Sequence, residues 1–345
     1  MCKIRTWLAL VLIYSAYLNA EFNQPMCNLD ISGGYRHDNV EWAFAGGSHS
    51  PSELWRMKFN DLQLWEIAAN YSYTTCNNYY IRLNGDYGRI LSGHCRAIGW
   101  ARDNKHAEFS SIKGKANKGH VYDVTGGIGY TFTSNGHRFI GTPVLGYSWR
   151  YQFLNMFDAD QVVNLPRALL GIYEDADLSR VHSRGKLGHI NGLKVNYNPR
   201  WFGPFLGFDW MVIVEPCFLV FGRVEWYFAE QFRANGKWNH RDRYLLDFSH
   251  HAAGSGLVLN LGGNYRLGNG WFIGVEGEYR NFQTGTGRHT VNKFKDSNKN
   301  KDIIFGKMPN TASREEETHS VRLNRAAWNS YCIEISIAYR YWCDT

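Results

Sequence analysis

The sequence predicts an all-β protein: a ten-stranded antiparallel transmembrane β-barrel with short periplasmic turns and long extracellular loops. Three observations predict it. Side-chain type alternates with period two over stretches longer than a globular strand, short and long connections alternate along the chain, and an export leader precedes the first strand. Residues 119–153 carry the first observation most plainly. Around the turn Ser134-Asn135-Gly136, Tyr122, Val124, Ile128, Tyr130 and Phe132 share one face, while Asp123, Thr125 and Thr131 share the other. The second arm sets Phe139, Leu145, Tyr147, Trp149 and Tyr151 opposite Thr142, Ser148, Arg150 and Gln152. A tilted strand crosses a bilayer in about 9–11 residues, and both arms exceed that. Aromatic residues at the ends of the apolar face, with small or aliphatic ones between, are what a lipid-facing strand presents.

Composition fits export and a membrane barrel. Among 345 residues, 16% are aromatic, with 35 Gly and only 8 Pro. The net charge of +7 argues little, because Lys and Arg concentrate in expected loops. Lys3 and Arg5 precede an apolar run at residues 7–13 and a small residue at Ala20, the pattern of a cleaved signal peptide. Residues 1–20 are therefore read as leader and 21–345 as barrel. The apolar run falls short of the roughly 20 residues a spanning helix needs.

Taken in order, strand one covers residues 27–37, with Leu29, Ile31 and Tyr35 facing out and Asp30, Ser32 and Arg36 facing in. Strand two is centred on 62–73, and strand three runs from Tyr79 through Tyr87. The hairpin at 119–153 supplies strands four and five. Strand six spans 193–212 and strand seven follows from Phe218 to Phe228. The Gly268-Asn269-Gly270 turn joins strand eight (Leu257 to Leu267) to strand nine (Trp271 to Tyr279). Strand ten sets Tyr331, Ile333, Ile335, Ile337, Tyr339 and Tyr341 outward. Residues 38–53, 93–118, 155–192, 233–251 and 283–325 read as polar external connections, with a short helix at 168–178. Outer-membrane barrels show this alternation of turn and loop, with an even strand number.

The inward charges Arg82, Asp86, Asp123, Arg150, Asp209, Arg223, Glu225, Glu276, Glu278, Glu334 and Arg340 are expected to share one lumen and to pair across it, since an unpaired buried ion costs several kcal/mol. A barrel of this size is filled by side chains, far below the 16–18 strands that leave an open channel.

Ser52-Glu53-Leu54-Trp55 ahead of Trp65, the run from Trp201 to Trp210, and the strand and loop plan resemble ten-stranded outer-membrane barrels of the omptin and Opa-like group, especially outer-membrane proteins of chlamydia-like bacteria. The resemblance covers most of the mature chain. Omptin proteases carry an Asp pair on the outer rim facing an Asp-x-His motif, which together activate a water. The corresponding segments here are Trp100-Ala101-Arg102-Asp103-Asn104, with a single acid, and Trp238-Asn239-His240-Arg241-Asp242, without the Asp-x-His spacing. Carboxylate and imidazole are the right chemistry for a general base, yet loop solvation accounts better for Asp103, His240 and Asp242.

No metal site is expected: His250 and His251 are adjacent and point to opposite faces. No phosphate loop, nucleophile elbow or dinucleotide fingerprint appears, so neither a cofactor nor nucleic acid is expected. Lys293, Lys295, Lys299, Lys301 and Lys307 suit either contact with anionic lipopolysaccharide or simple solvation, and Glu315 to Glu317 read as a solvated loop. The expected role is structural or surface-interacting, with an omptin-like endopeptidase or a narrow solute channel as alternatives. Expected partners are outer-membrane lipid, including lipopolysaccharide, the barrel-assembly machinery, and host or envelope proteins at the external loops. Cys27 opens strand one and Cys343 closes strand ten. Barrel closure makes them candidates for a disulfide at the seam, against free thiols or the intermolecular links that the chlamydial resemblance implies.

Overall fold

The computed structural model describes residues 25–46, 51–105, 108–134, 138–164, 187–240, 244–296 and 314–342. They form a closed ring of ten antiparallel strands. The strands are β1 (Met26–Phe44), β2 (Trp55–Thr74), β3 (Tyr79–Trp100), β4 (the segments Glu108–Lys115, Gly119–Tyr130 and Phe132–Ser134) and β5 (Phe139–Asn164). They continue with β6 (Lys194–Glu215), β7 (Phe218–His240), β8 (Tyr244–Gly268), β9 (Trp271–Asp296) and β10 (Arg314–Trp342). A short strand at Gly188–Ile190 pairs with β5. β1 closes the ring on β10 over the register Met26↔Trp342 to Phe44↔Leu323. Among the described residues there is no α-helix, and a single 3-10 turn at Asp103–Lys105.

Exposed Leu29, Ile31 and Tyr35 on β1, Ile81, Leu83 and Tyr87 on β3, and Ile333, Ile335 and Ile337 on β10 make one apolar band around the outside. Such a surface is stable only against lipid. The tight turns lie at one end of this band. Asn78 and the trio Gly268, Asn269 and Gly270 have positive φ there, so the two Gly and two Asn stand where other residues would be strained.

The strands outrun the bilayer, reaching 29 residues in β10. The described residues of the segments 38–53, 93–118, 155–192, 233–251 and 283–325, read from sequence as polar connections, are largely strand. The reason is an exchange of polarity along each strand. In β1 the membrane portion points Leu29, Ile31 and Tyr35 out and buries Asp30 and Arg36, whereas the upper portion buries Val40 and Trp42 and turns Glu41 to solvent. The faces are unchanged. Lipid outside the lower half demands apolar residues outside, and water outside the upper half demands them inside, so the period-two signal changes sense halfway up. A bulge between Tyr227 and Glu230 of β7 interrupts the pattern further.

Three other expectations change accordingly. Cys95, expected in an external loop, lies in β3 and is buried in the core. Lys293 and Lys295 on β9 stand opposite Glu317 and Glu315 on β10, within strand and not loop. Many of the aromatics counted toward membrane girdles fill the lumen instead. The expected helix at 168–178, the leader and the turn at 135–136 lie outside the described residues.

Candidate functional site: a charged lumen under an aromatic plug

The lumen has three layers. Nearest the tight turns is a vestibule of about 160 Å³, lined by Asp30, Ser72, Tyr80, Thr142, Asn264 and Arg340 among others. Inward-facing positions of the membrane portion then supply a network of arginines and carboxylates around a cavity of about 40 Å³. Above it the upper halves of the strands contribute the aromatic core.

Arg36 is the hub of the network. Its guanidinium is fully buried and donates to Asp38 at 2.9 and 3.0 Å, Glu66 at 2.5 Å, Asp123 at 3.3 Å and Asp86 at 3.4 Å. Arg280, on β9 two strands from β1, donates to Asp123 at 2.7 Å, Asp86 at 3.1 Å and Glu278. Arg223 reaches Glu278 at 2.7 Å, and Arg82 bonds Asp209 at 3.1 Å and Glu225. Arg150 donates to Ser148 and to the Tyr227 hydroxyl, which in turn donates to Glu225. Glu276 accepts from Asn260 at 2.8 Å and Glu334 from Ser32 at 2.7 Å. Arg340 sits apart in the vestibule, its guanidinium 5.1 Å from the Phe272 ring centre and donating to Met211 Sδ. Several ions thus share partners across strands far apart in sequence, which fixes the barrel's cross-section as well as compensating charge.

The charge network expected from the sequence does not include Arg36, Asp38, Glu66 or Arg280. Arg36, Glu66 and Arg280 are legible as inward members of their strands. Asp38 was obscured because it sits where the alternation changes sense.

Glu66, Cys332 and Glu334 bring one donor atom each to within 4.8 Å of one another. These residues have the donor types for a cation. Glu66 Oε2, however, is engaged by Arg36 at 2.5 Å, and Cys332 Sγ approaches Glu66 Oε1 at 3.4 Å.

The plug packs directly on the network through ring faces. Arg36 lies 5.3 Å from the Trp328 ring centre, Arg82 5.2 Å from Phe205, and Arg150 4.5 and 4.6 Å from Tyr227 and Phe282. Above these contacts Trp201 and Phe232 pack at 4.5 Å between centres, and Phe282 stacks on Trp328 at 5.2 Å. Gly256 and Gly236 make room for this packing, since a Cβ at either would overlap the ring of Phe282 or Phe248. At the top, Trp42, Phe44, Tyr197 and Phe248 enclose His250 and His289. The imidazoles bond each other at 2.8 Å, and Tyr197 meets His250 Nδ1 at 3.0 Å. Burial pushes the His289 imidazole down to about 3 and holds His250 well below its usual value, with the neighbouring His289 adding to the effect on His250. His250 is separated from His251 as adjacent strand residues must be, with the first buried and the second exposed.

The omptin-type candidates do not converge among the described residues. Asp103 lies in the exposed 3-10 turn, where the Ser52 backbone NH donates to it at 2.6 Å and holds its carboxyl below the usual range. His240 is the last residue of β7, and Asp242 lies outside the described residues. At the seam, Cys27 is buried opposite Tyr341 in the register, and Cys343 lies outside the described residues.

A closed ring of tilted strands with an outward apolar band, tight turns at one end and a polar lumen defines an outer-membrane β-barrel. The particular family is given by the sequence: residues 30–341 match the family described as Protochlamydia outer membrane protein, and the chain belongs to it. No curated protein matches the chain. Among solved structures, the outer membrane protease OmpT from Escherichia coli is similar with a TM-score of 0.66 at 12% identity, covering 95% of this chain and 100% of that one. That likeness supports the ten-stranded fold. The toluene transporter TodX of P. putida (TM-score 0.32, 6% identity, 96% and 93% covered) and the translocator domain of the autotransporter NalP from Neisseria meningitidis (TM-score 0.32, 8% identity, 98% and 96% covered) are more distant.

Proposed function

We propose that the protein is a closed outer-membrane barrel with a structural or surface-interaction role, neither a solute channel nor a protease. The observation that carries this reading is the filled lumen. A solute leaving the vestibule meets a network whose ions are cross-linked by charge-assisted hydrogen bonds, then a close-packed aromatic core. Opening a path would separate several buried ion pairs and unpack large rings at once, each a matter of several kcal/mol. On this reading the partners are outer-membrane lipid, including lipopolysaccharide, the machinery that assembles barrels, and host or envelope proteins met at the external end.

The purified barrel in a planar bilayer is expected to give no conductance steps above background at low voltage. Stable open events that scale with salt would replace the closed-barrel reading with a channel.

Asp103 is read as a turn residue, since its carboxylate is engaged by the Ser52 NH. A basic peptide incubated with the barrel is expected to stay intact, with Asp103→Asn indistinguishable from the parent. Cleavage by the parent that disappears in the variant would make Asp103 a water-activating acid.

A further inference from the structure

The outer wall above the apolar band carries a row of four arginines and a histidine that the lumen does not explain. Arg200 on β6 stands directly opposite Arg233 on β7, and Arg233 is opposite His251 on β8. His251 is in turn opposite Arg288 on β9, and Arg288 opposite Arg322 on β10. All five are exposed. Directly paired residues share a face of the sheet, so these side chains project together along one hydrogen-bonding row. At about 4.8 Å per strand the row is roughly 19 Å long.

Like charges directly opposite one another destabilise a sheet. Elsewhere on the outer wall this chain balances such charges: Glu41 holds Lys58 and Arg325, and Lys115 pairs with Asp158 at 2.6 Å. Along the row no Asp or Glu lies within two residues of any of the five. Among the described residues none of the four arginines makes an ion pair. Arg200 and Arg233 instead rest on the rings of Tyr151 and Phe202 at 5.5 and 5.3 Å, and Arg322 donates to Asn324 at 3.1 Å. Resting on a ring holds a guanidinium in place while leaving NH donors free for an outside acceptor.

The slope of the row distinguishes between partners. Arg200 stands two residues from Phe202 at the edge of the band, whereas Arg322 stands nine residues along β10 from Tyr331, the uppermost apolar residue of its outward set. Because hydrogen-bonded rows run across tilted strands, the line climbs away from the membrane surface. A plane of lipid headgroups would meet only its lower end. We infer that the Arg200–Arg233–His251–Arg288–Arg322 row is a docking line for an extended linear polyanion, a sulfated, phosphorylated or uronate-bearing polysaccharide, whose successive anions are taken by successive strands.

This inference deepens the surface-interaction reading and rests on it. Its test is separate from the conductance and cleavage assays, which leave the row untouched. The full barrel in neutral detergent is titrated with a size-defined heparin oligosaccharide, with neutral dextran of matched length, and with micelles containing anionic phospholipid. Binding to heparin is expected to weaken steeply as salt rises. Arg233→Gln with Arg288→Gln is expected to lower that affinity at least tenfold. The thermal midpoint should hold or rise, because two like-charge contacts, Arg200–Arg233 and Arg288–Arg322, have been relieved. Unchanged heparin affinity in the double variant, equal binding of dextran, or preference for the anionic micelles over the oligosaccharide would overturn the inference. So would a lowered thermal midpoint, which would make these arginines structural.

Discussion

Arg36→Leu is expected to destabilise the barrel by about 3–5 kcal/mol, the cost of leaving buried charge without its partner. The guanidinium is fully buried and is shared by Asp38, Glu66, Asp86 and Asp123. Its removal leaves Asp38 without its nearest cation and transfers the burden for the other three to Arg280, which already holds Glu278. Arg36→Lys restores the charge but not the planar fork that spans several acceptors. It should recover only part of the loss. Urea unfolding in detergent, followed by tryptophan fluorescence and by the gel shift between folded and unfolded barrel, measures both variants. A midpoint for Arg36→Leu equal to that of the parent would show that the carboxylates are hydrated and do not depend on Arg36.

The second large effect is expected from acid. His250 and His289 are buried among rings above the membrane, and their folded-state pKa values are depressed, with His289 at about 3. A depressed value means that the unfolded chain binds protons which the folded chain refuses. Stability is therefore full above the ordinary imidazole value of about 6.5 and declines as pH falls below it. His289, at about 3, contributes a slope approaching 1.4 kcal/mol per pH unit, on the order of 2 kcal/mol between pH 6.5 and 4.5, and His250 adds to it in the same direction. Comparison of the parent with a variant that lacks both imidazoles but keeps the lumen carboxylates separates the two contributions. His250→Gln with His289→Gln should lower stability at pH 7.5, by loss of packing, and flatten the dependence on pH. A double variant that keeps the parent's slope from pH 6.5 to 4.5 would assign the acid response elsewhere.

The family resemblance is legible in the aromatic runs and the loop plan of the sequence, and the match over residues 30–341 places the chain there. The omptin-type site was legible only as a departure from a pattern. The structure places Asp103 in a turn, where it accepts from the Ser52 NH, and His240 at the end of a strand.

The sequence by itself determined the class, the number of strands and the membrane portion of each. Lipid on one side and a polar lumen on the other impose strict alternation, which is local information: Tyr331 to Tyr341 on β10 announces a lipid-facing strand without reference to any neighbour. Only the tertiary structure decided the height of the barrel and the pairing inside it. Above the bilayer both polarity and medium reverse, so Val40, Trp42, Phe248 and Phe282 look like interruptions until the strands around them close. Arg36 meets Asp123 across 87 residues of chain and Arg280 meets Asp123 across 157. The row of four arginines and His251 on the outer wall is likewise created by register: each residue is an ordinary surface side chain on its own strand, and only the hydrogen-bonded alignment of five strands sets them side by side.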